Sequence, residues 1–146
     1  MFPIKIARVA YGGAIYNASE YDARLQLEDG RIVNQDEVTW LTPLNPRTTF
    51  ALGLNYADHA AELAFDAPSE PLIFLKGPNT FVGHNGFTRR PSDITYMHYE
   101  CELAVVIGKK GRYVKKEDAY DYVKGYSIAN DYAFRDYLEN YYRPNL

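Results

Sequence analysis

The stretch Tyr99-Glu-Cys-Glu-Leu-Ala-Val-Val-Ile107 is an apolar run interrupted by two glutamates, and it predicts a β-strand. Successive side chains of a strand alternate between faces, so Glu100 and Glu102 point the same way and leave an apolar opposite face. At about 6.5 Å the two carboxylates would repel by roughly 2.5 kcal/mol at an effective dielectric constant of 20. Such a pair needs either a cation between the two groups or open water in front of them.

A third carboxylate favours the cation. Asp131 closes a second apolar run, Tyr126-Ser-Ile-Ala-Asn-Asp131, at a strand end where α/β architectures commonly place reacting groups. Three oxygen donors from two neighbouring strands suit a hard cation such as Mg²⁺, with Mn²⁺ as the alternative, whereas zinc prefers nitrogen and sulfur ligands. Glu100, Glu102 and Asp131 are therefore the predicted metal ligands. A strand edge that faces solvent is the alternative.

Length and composition predict a globular protein of the reducing cytoplasm. The 146 residues are 47% hydrophobic and 24% charged, and they include a single cysteine, which cannot form an internal disulfide. The net charge of −3 gives no sign of a nucleic-acid surface. The first residues lack the long apolar stretch of a signal peptide or a membrane span, so we expect no membrane partner.

The sequence predicts a small β-rich lead-in over residues 1–47 and the chemistry-bearing part over residues 48–146. The strongest local signal in the lead-in is Asp29-Gly30, since this pair supplies the positive φ angles of a tight hairpin turn. In the second part the pattern predicts strands over Phe50–Leu54 and Pro71–Lys76. A short helix is predicted from about Lys116 to Lys124, with Gly125 as its C-terminal cap.

A histidine and a glutamate lie three residues apart at His59 and Glu62. On a helix this spacing places both side chains on one face, where the carboxylate can orient the imidazole for acid/base chemistry. An ordinary exposed ion pair on a helix is the alternative. Lys76 ends a predicted strand and faces either a cleft or solvent. His98 precedes the acidic strand closely enough to contact its carboxylates.

Aromatic and aliphatic residues recur at spacings of three and four from Tyr132 to Tyr142 and predict an amphipathic helix. On such a helix Arg135 follows Asp131 by one turn, beside the predicted metal, where its guanidinium could bind a carboxylate. The alternative is a surface arginine that pairs with Asp136 or Glu139.

Taken together, these motifs resemble those of the fumarylacetoacetate hydrolase family. They are Gly53-Leu-Asn-Tyr56 with His59 and Glu62, Phe74-Leu-Lys76, Glu100-x-Glu102, and Asn130-Asp131 with Arg135. The resemblance covers residues 48–146 well and the lead-in more loosely. It implies an α+β, β-rich fold with a mixed, barrel-like sheet. Family members continue past the length seen here, so we expect that fold to be incomplete at the C-terminus.

The resemblance also implies a chemistry. It implies a cytoplasmic homodimer that holds Mg²⁺ on the three carboxylates, with His59 and Glu62 as the catalytic pair and Arg135 and Lys76 at the substrate. The implied substrate is a small 2-oxo or 2-hydroxydienoate polycarboxylic acid, which is decarboxylated and tautomerised. Carbon–carbon hydrolysis is the rival reaction within the family. An inactive chain that serves only as an interaction module is the alternative outside enzymology.

Overall fold

A computed structural model describes residues 4–56 and 69–136. Within these ranges the chain is rich in β-strands, as predicted. The strands are β1 (Ile6–Tyr11), β2 (Ala14–Tyr21), β3 (Arg24–Leu27), β4 (Ile32–Val33), β5 (Thr39–Trp40), β6 (Thr49–Gly53), β7 (Leu72–Lys76), β8 (Met97–His98), β9 (Cys101–Ile107), β10 (Val123–Asn130) and β11 (Ala133–Phe134). Short 3-10 helices span Pro78–Thr80 and Lys116–Tyr122. A helix long and apolar enough to cross a membrane is not found in the described ranges.

The chain divides into two compact units, Met1–Thr88 and Arg89–Leu146. The boundary predicted between residues 47 and 48 separates the β-rich lead-in from the segment that carries the candidate site residues. It is a different division from the one between the two compact units, and it stays a prediction.

The first unit contains a five-stranded antiparallel sheet with the order β4-β3-β2-β1-β5. Its buried core is formed by aliphatic side chains from four of these strands: Val9, Ala18, Leu25, Leu27 and Val33. The predicted hairpin at Asp29-Gly30 is confirmed, because this pair lies in the turn that joins β3 to β4. Gly30 adopts a φ of 90°, whereas the positive φ predicted for Asp29 is wrong. The Arg31 side chain hydrogen-bonds Asp29 at 2.9 Å and holds the pKa of that carboxyl below its ordinary value.

The same unit contains the antiparallel pair β6–β7, which confirms both predicted strands. Lys76 pairs with Thr49 at one end of this ladder. One face of the pair is apolar and exposed, since Phe50 lies opposite Leu75 and Leu52 lies opposite Ile73.

The second unit is organised around a long antiparallel ladder. β10 pairs with β9 down to Asn130 opposite Cys101, and β11 pairs with β8 from Ala133 opposite His98. Both pairs keep the same register. The backbone N–H of Asp131 bridges them, since it donates to the carbonyl oxygen of Glu100 at 2.9 Å. The two short sheets therefore continue one another across Tyr99 and Tyr132.

Two predicted features of this unit are wrong in part. The helix predicted over 116–124 is a 3-10 helix that ends at Tyr122, and Gly125 lies inside β10 beside a register shift and does not cap a helix. The amphipathic helix predicted from Tyr132 is wrong at its start, because Ala133 and Phe134 form β11. Pairing with β8 outweighs the helical spacing there. Residues 137–146, with Leu138 and Glu139, lie outside the described residues.

Candidate functional site

The candidate side chains of the second unit share one face of the ladder. Because directly opposed residues of an antiparallel pair lie on the same face, the continuous register groups His98, Glu100 and Glu102 with Asp131 and Arg135. All five are half-buried, whereas the alternate positions of β9, with Leu103 and Ile107, are exposed. The predicted placement of both glutamates on one face is confirmed, and the covered face of the strand is the acidic one.

Glu100 is held from several sides. Its Oε1 accepts a hydrogen bond from Nη2 of Arg135, and Nδ1 of His98 lies 3.1 Å from the same oxygen. Its backbone N–H donates to Oδ1 of Asn130 at 3.1 Å. The Arg135 side chain is 7% exposed and the Glu100 side chain 23% exposed, so this ion pair is largely removed from water. The carboxylate therefore has a cationic partner that is itself nearly buried.

His98 completes a three-membered cluster with Arg135 and Glu100. Its Nδ1 lies 2.9 Å from Nη2 of Arg135 as well as 3.1 Å from Oε1 of Glu100. One ring nitrogen either donates or accepts, and a guanidinium only donates. Nδ1 therefore either accepts from Arg135 or donates to Glu100, and in both tautomers Arg135 keeps its bond to the carboxylate. The sequence placed His98 near the acidic strand, and the structure shows which atoms it contacts.

Arg135 directly follows β11 and begins a 3-10 turn, so it reaches Glu100 through the register of the ladder and not because it follows Asp131 on a helix. Its backbone N–H donates to the carbonyl oxygen of Tyr96 at 2.9 Å, which extends the register one step beyond β11. The alternative pairing with Asp136 is not what the structure shows. Asp136 instead accepts hydrogen bonds from the hydroxyl and backbone N–H of Thr95 and from the backbone N–H of Tyr96, which together lower its pKa to about 2.

The register of the ladder brings the three predicted metal ligands to neighbouring positions, but their side chains are not arranged around a common point. Glu100 lies directly opposite Asp131, and Glu102 lies opposite Ala129, which makes Glu102 the diagonal neighbour of Asp131. Nevertheless, residues 4–56 and 69–136 contain no group of three or more His, Cys, Asp or Glu placed to hold a metal ion. Oε1 of Glu100 is directed at Arg135 instead. The metal ligand set therefore stays a prediction.

The remaining sequence candidates fall elsewhere. His59 and Glu62 lie outside the described residues. Lys76 belongs to the first unit, where its ammonium lies 5.4 Å from the centroid of the Phe74 ring. Its role at a substrate stays a prediction. Sequence reasoning missed the network that Asp136 forms with Thr95 and Tyr96, because nothing in the local pattern signals a contact across forty residues.

A family model supports the resemblance that the motifs indicated. The fumarylacetoacetate (FAA) hydrolase C-terminal family matches residues 48–145. The chain belongs to this family, and the fumarylacetoacetate hydrolase-type fold predicted from the sequence is confirmed.

Two curated relatives are similar to this chain in sequence. The chain is 68% identical over 99 residues to the homoprotocatechuate catabolism bifunctional isomerase/decarboxylase of Escherichia coli. It is 58% identical over 120 residues to the 4-hydroxyphenylacetate degradation bifunctional isomerase/decarboxylase of Salmonella dublin. These matches cover 68% and 79% of this chain and 23% and 28% of the relatives.

The chain is also similar to a solved structure. The crystal structure of 5-carboxymethyl-2-hydroxymuconate delta-isomerase from Mycobacterium smegmatis matches with a TM-score of 0.76 and 33% identity. The match covers 91% of this chain and 56% of that structure. The chain thus spans about half of the solved relative and about a quarter of the two curated ones.

Proposed function

We propose that this chain takes part in the decarboxylation of 5-oxopent-3-ene-1,2,5-tricarboxylate and the isomerisation of 2-hydroxyhepta-2,4-diene-1,7-dioate, in the breakdown of 4-hydroxyphenylacetate. The observation that carries the proposal is the 68% identity over 99 residues to a relative named for both activities. The acidic face of the ladder supports it, since Glu100, Glu102 and Asp131 lie on one face of the ladder, beside the largely buried side chain of Arg135. The proposal includes Mg²⁺ or Mn²⁺ as cofactor and a homodimeric assembly.

The cationic side chains are proposed to bind the substrate, and the acidic side chains to bind the cation. A substrate with several carboxylates needs cationic partners, and Arg135 and Lys76 are the candidates, because a guanidinium paired at one nitrogen keeps further N–H donors. Bound at Glu100, Glu102 and Asp131, a divalent cation would supply Lewis-acid stabilisation of the negative charge that develops on a 2-oxo acid. His59, oriented by Glu62, takes the proton of the 2-hydroxyl and returns it to a carbon of the diene in the isomerisation.

The test is turnover of each substrate by the purified chain in the presence of Mg²⁺. Release of CO₂ from the tricarboxylate, with loss of the dienoate absorbance in the second step, is the expected result. His59→Ala should lower turnover at least tenfold and leave Mg²⁺ affinity nearly unchanged. His84→Ala is the matched control, because it also replaces a histidine of the first unit. The His84 ring lies edge-on to the Trp40 ring, with the two ring centroids 5.0 Å apart.

The same assay separates the two alternatives. Cleavage of an acylpyruvate-like substrate into two acids, without CO₂, would favour carbon–carbon hydrolysis. Absence of turnover, together with a stable complex with another protein chain, would favour an interaction module. Turnover that is equal in His59→Ala and in the parent chain would remove His59 from the mechanism.

A further inference from the structure

We propose that Asp136 is a positioning residue for Arg135. By fastening the end of β11 to the facing segment of the ladder, it keeps the Arg135 guanidinium beside Glu100. This inference rests on the proposed function, in which Arg135 binds a carboxylate of the substrate. Asp136 does not touch the substrate and acts only through the orientation of Arg135.

The ladder ends in an incomplete pair, Arg135 opposite Tyr96. The backbone N–H of Arg135 donates to the carbonyl oxygen of Tyr96 at 2.9 Å, as in a hydrogen-bonded antiparallel pair. The reciprocal bond would join the N–H of Tyr96 to the carbonyl oxygen of Arg135. That N–H instead donates to Oδ2 of Asp136 at 2.9 Å, since the chain leaves the strand in a 3-10 turn at Arg135. A side-chain carboxylate thus takes the place of a main-chain acceptor.

The Asp136 carboxylate binds two successive residues of the facing segment. Its other oxygen, Oδ1, accepts from the backbone N–H of Thr95 at 3.0 Å and from the Thr95 hydroxyl. These bonds lower the pKa of Asp136 to about 2, so at neutral pH the group is a charged acceptor. β11 is only two residues long, and weakly bonded chain ends open easily. The three bonds therefore fasten β11 at the end where Arg135 follows it.

The position of the Arg135 guanidinium depends on this fastening. Its Nη2 donates to Oε1 of Glu100, and the Arg135 side chain is 7% exposed. An arginine side chain has many rotamers, so a displaced main chain would let the guanidinium leave that carboxylate. A guanidinium paired at one nitrogen keeps further N–H donors. These donors can bind a substrate carboxylate productively only while their direction is maintained.

Hydrogen exchange at Arg135 tests the positioning directly. The measurement is the exchange with water of the Arg135 Nε proton in the purified ¹⁵N-labelled chain, with the signal assigned by its absence from Arg135→Gln. Asp136→Ala should accelerate this exchange by about fivefold or more, because the end of β11 opens more often. Asp118→Ala removes an aspartate from the exposed 3-10 helix and should leave the rate unchanged. Equal rates in Asp136→Ala and the parent chain would overturn the inference.

Steady-state kinetics with 2-hydroxyhepta-2,4-diene-1,7-dioate shows whether the effect of Asp136 passes through Arg135. Asp136→Ala should raise KM about fivefold and change kcat by less than about twofold, because a contact made equally in the ground and transition states affects KM alone. Arg135→Gln should raise KM by about tenfold or more, since a charge-assisted hydrogen bond is lost. The double variant should resemble Arg135→Gln. Additive losses would mean that Asp136 acts independently of Arg135 and would refute its positioning role.

Two milder variants keep the test decisive if Asp136→Ala does not fold. Asp136→Asn keeps one carbonyl oxygen as an acceptor, and Thr95→Val removes only the hydroxyl donor. Each should accelerate the exchange of the Arg135 Nε proton by about twofold, and no acceleration in either would contradict the inference. If the parent chain turns over no substrate, the proposed function fails, and the exchange rates alone decide whether Asp136 positions Arg135.

Discussion

The backbone N–H of Asp131 donates to the backbone carbonyl oxygen of Glu100 at 2.9 Å. This bond joins two residues that lie 31 positions apart in the chain, and it sets their side chains on the same face of the ladder. Since the register is carried by main-chain atoms, substitution of the acidic side chains should leave the ladder itself in place. The effects of such substitutions can then be assigned to charge.

Glu100→Gln should lower the free energy of unfolding by about 2 kcal/mol, because it leaves the buried Arg135 guanidinium without a counter-charge. Urea denaturation followed by circular dichroism measures the loss. Glu117→Gln, on the exposed 3-10 helix, is the control and should change stability by less than about 0.5 kcal/mol. Equal losses in the two variants would show that the ion pair contributes nothing specific.

Asp136 should make the second unit sensitive to acid. Hydrogen bonds from Thr95 and Tyr96 lower its pKa from 3.8 to about 2 in the folded state. A depressed folded-state pKa contributes stability that is fully present above about pH 4 and is lost as the pH falls toward 2. Asp136→Asn should therefore flatten the stability profile between pH 4 and pH 2. Asp118→Asn, outside this network, should retain the slope of the parent, and loss of the slope in both would contradict the assignment.

Leu27→Ala should destabilise the first sheet by about 3 kcal/mol, since Leu27 is 2% exposed and its removal leaves a cavity in the core. Leu75→Ala removes the same atoms from a side chain that is 65% exposed, and should cost no more than about 0.5 kcal/mol. Fluorescence of Trp40, the single tryptophan, reports unfolding of this sheet because Trp40 packs against the core. Similar midpoints for the two variants would mean that the core is not where the structure places it.

Gly30→Ala should cost about 1 kcal/mol, because the hairpin turn holds this residue at a φ of 90°. Gly125→Ala is the matched comparison, since a Cβ there meets open space and its φ is not positive. It should be neutral or slightly stabilising, because alanine in a strand loses less conformational entropy on folding. Thermal unfolding of both variants decides between backbone strain at Gly30 and a general intolerance of substitution.

Local chemistry made several parts of this structure predictable from the sequence. The hairpin turn at Asp29-Gly30 was predictable because glycine accepts the positive φ that Gly30 adopts. The shared face of Glu100 and Glu102 followed from the alternation of a strand. The place of Asp131 beside that strand also followed, from the apolar run that precedes it. These features depend on a few adjacent residues.

Other parts depended on pairing between distant segments, which a local pattern does not contain. The spacing from Tyr132 predicted a helix, yet Ala133 and Phe134 pair with β8 because the register set at Asn130 continues past Asp131. Gly125 was expected to end a helix, yet β10 already begins at Val123. The contact between Arg135 and Glu100 is a product of the same register, so it could be foreseen only once the ladder was known.

The first sheet draws its buried side chains from Val9 to Val33, and strands β1 to β4, which carry them, lie side by side in chain order. Contacts between residues close in sequence form quickly, because little chain entropy is lost in closing them. We therefore expect the pairing of β1 to β4 to be among the first contacts that the chain makes as it is synthesised.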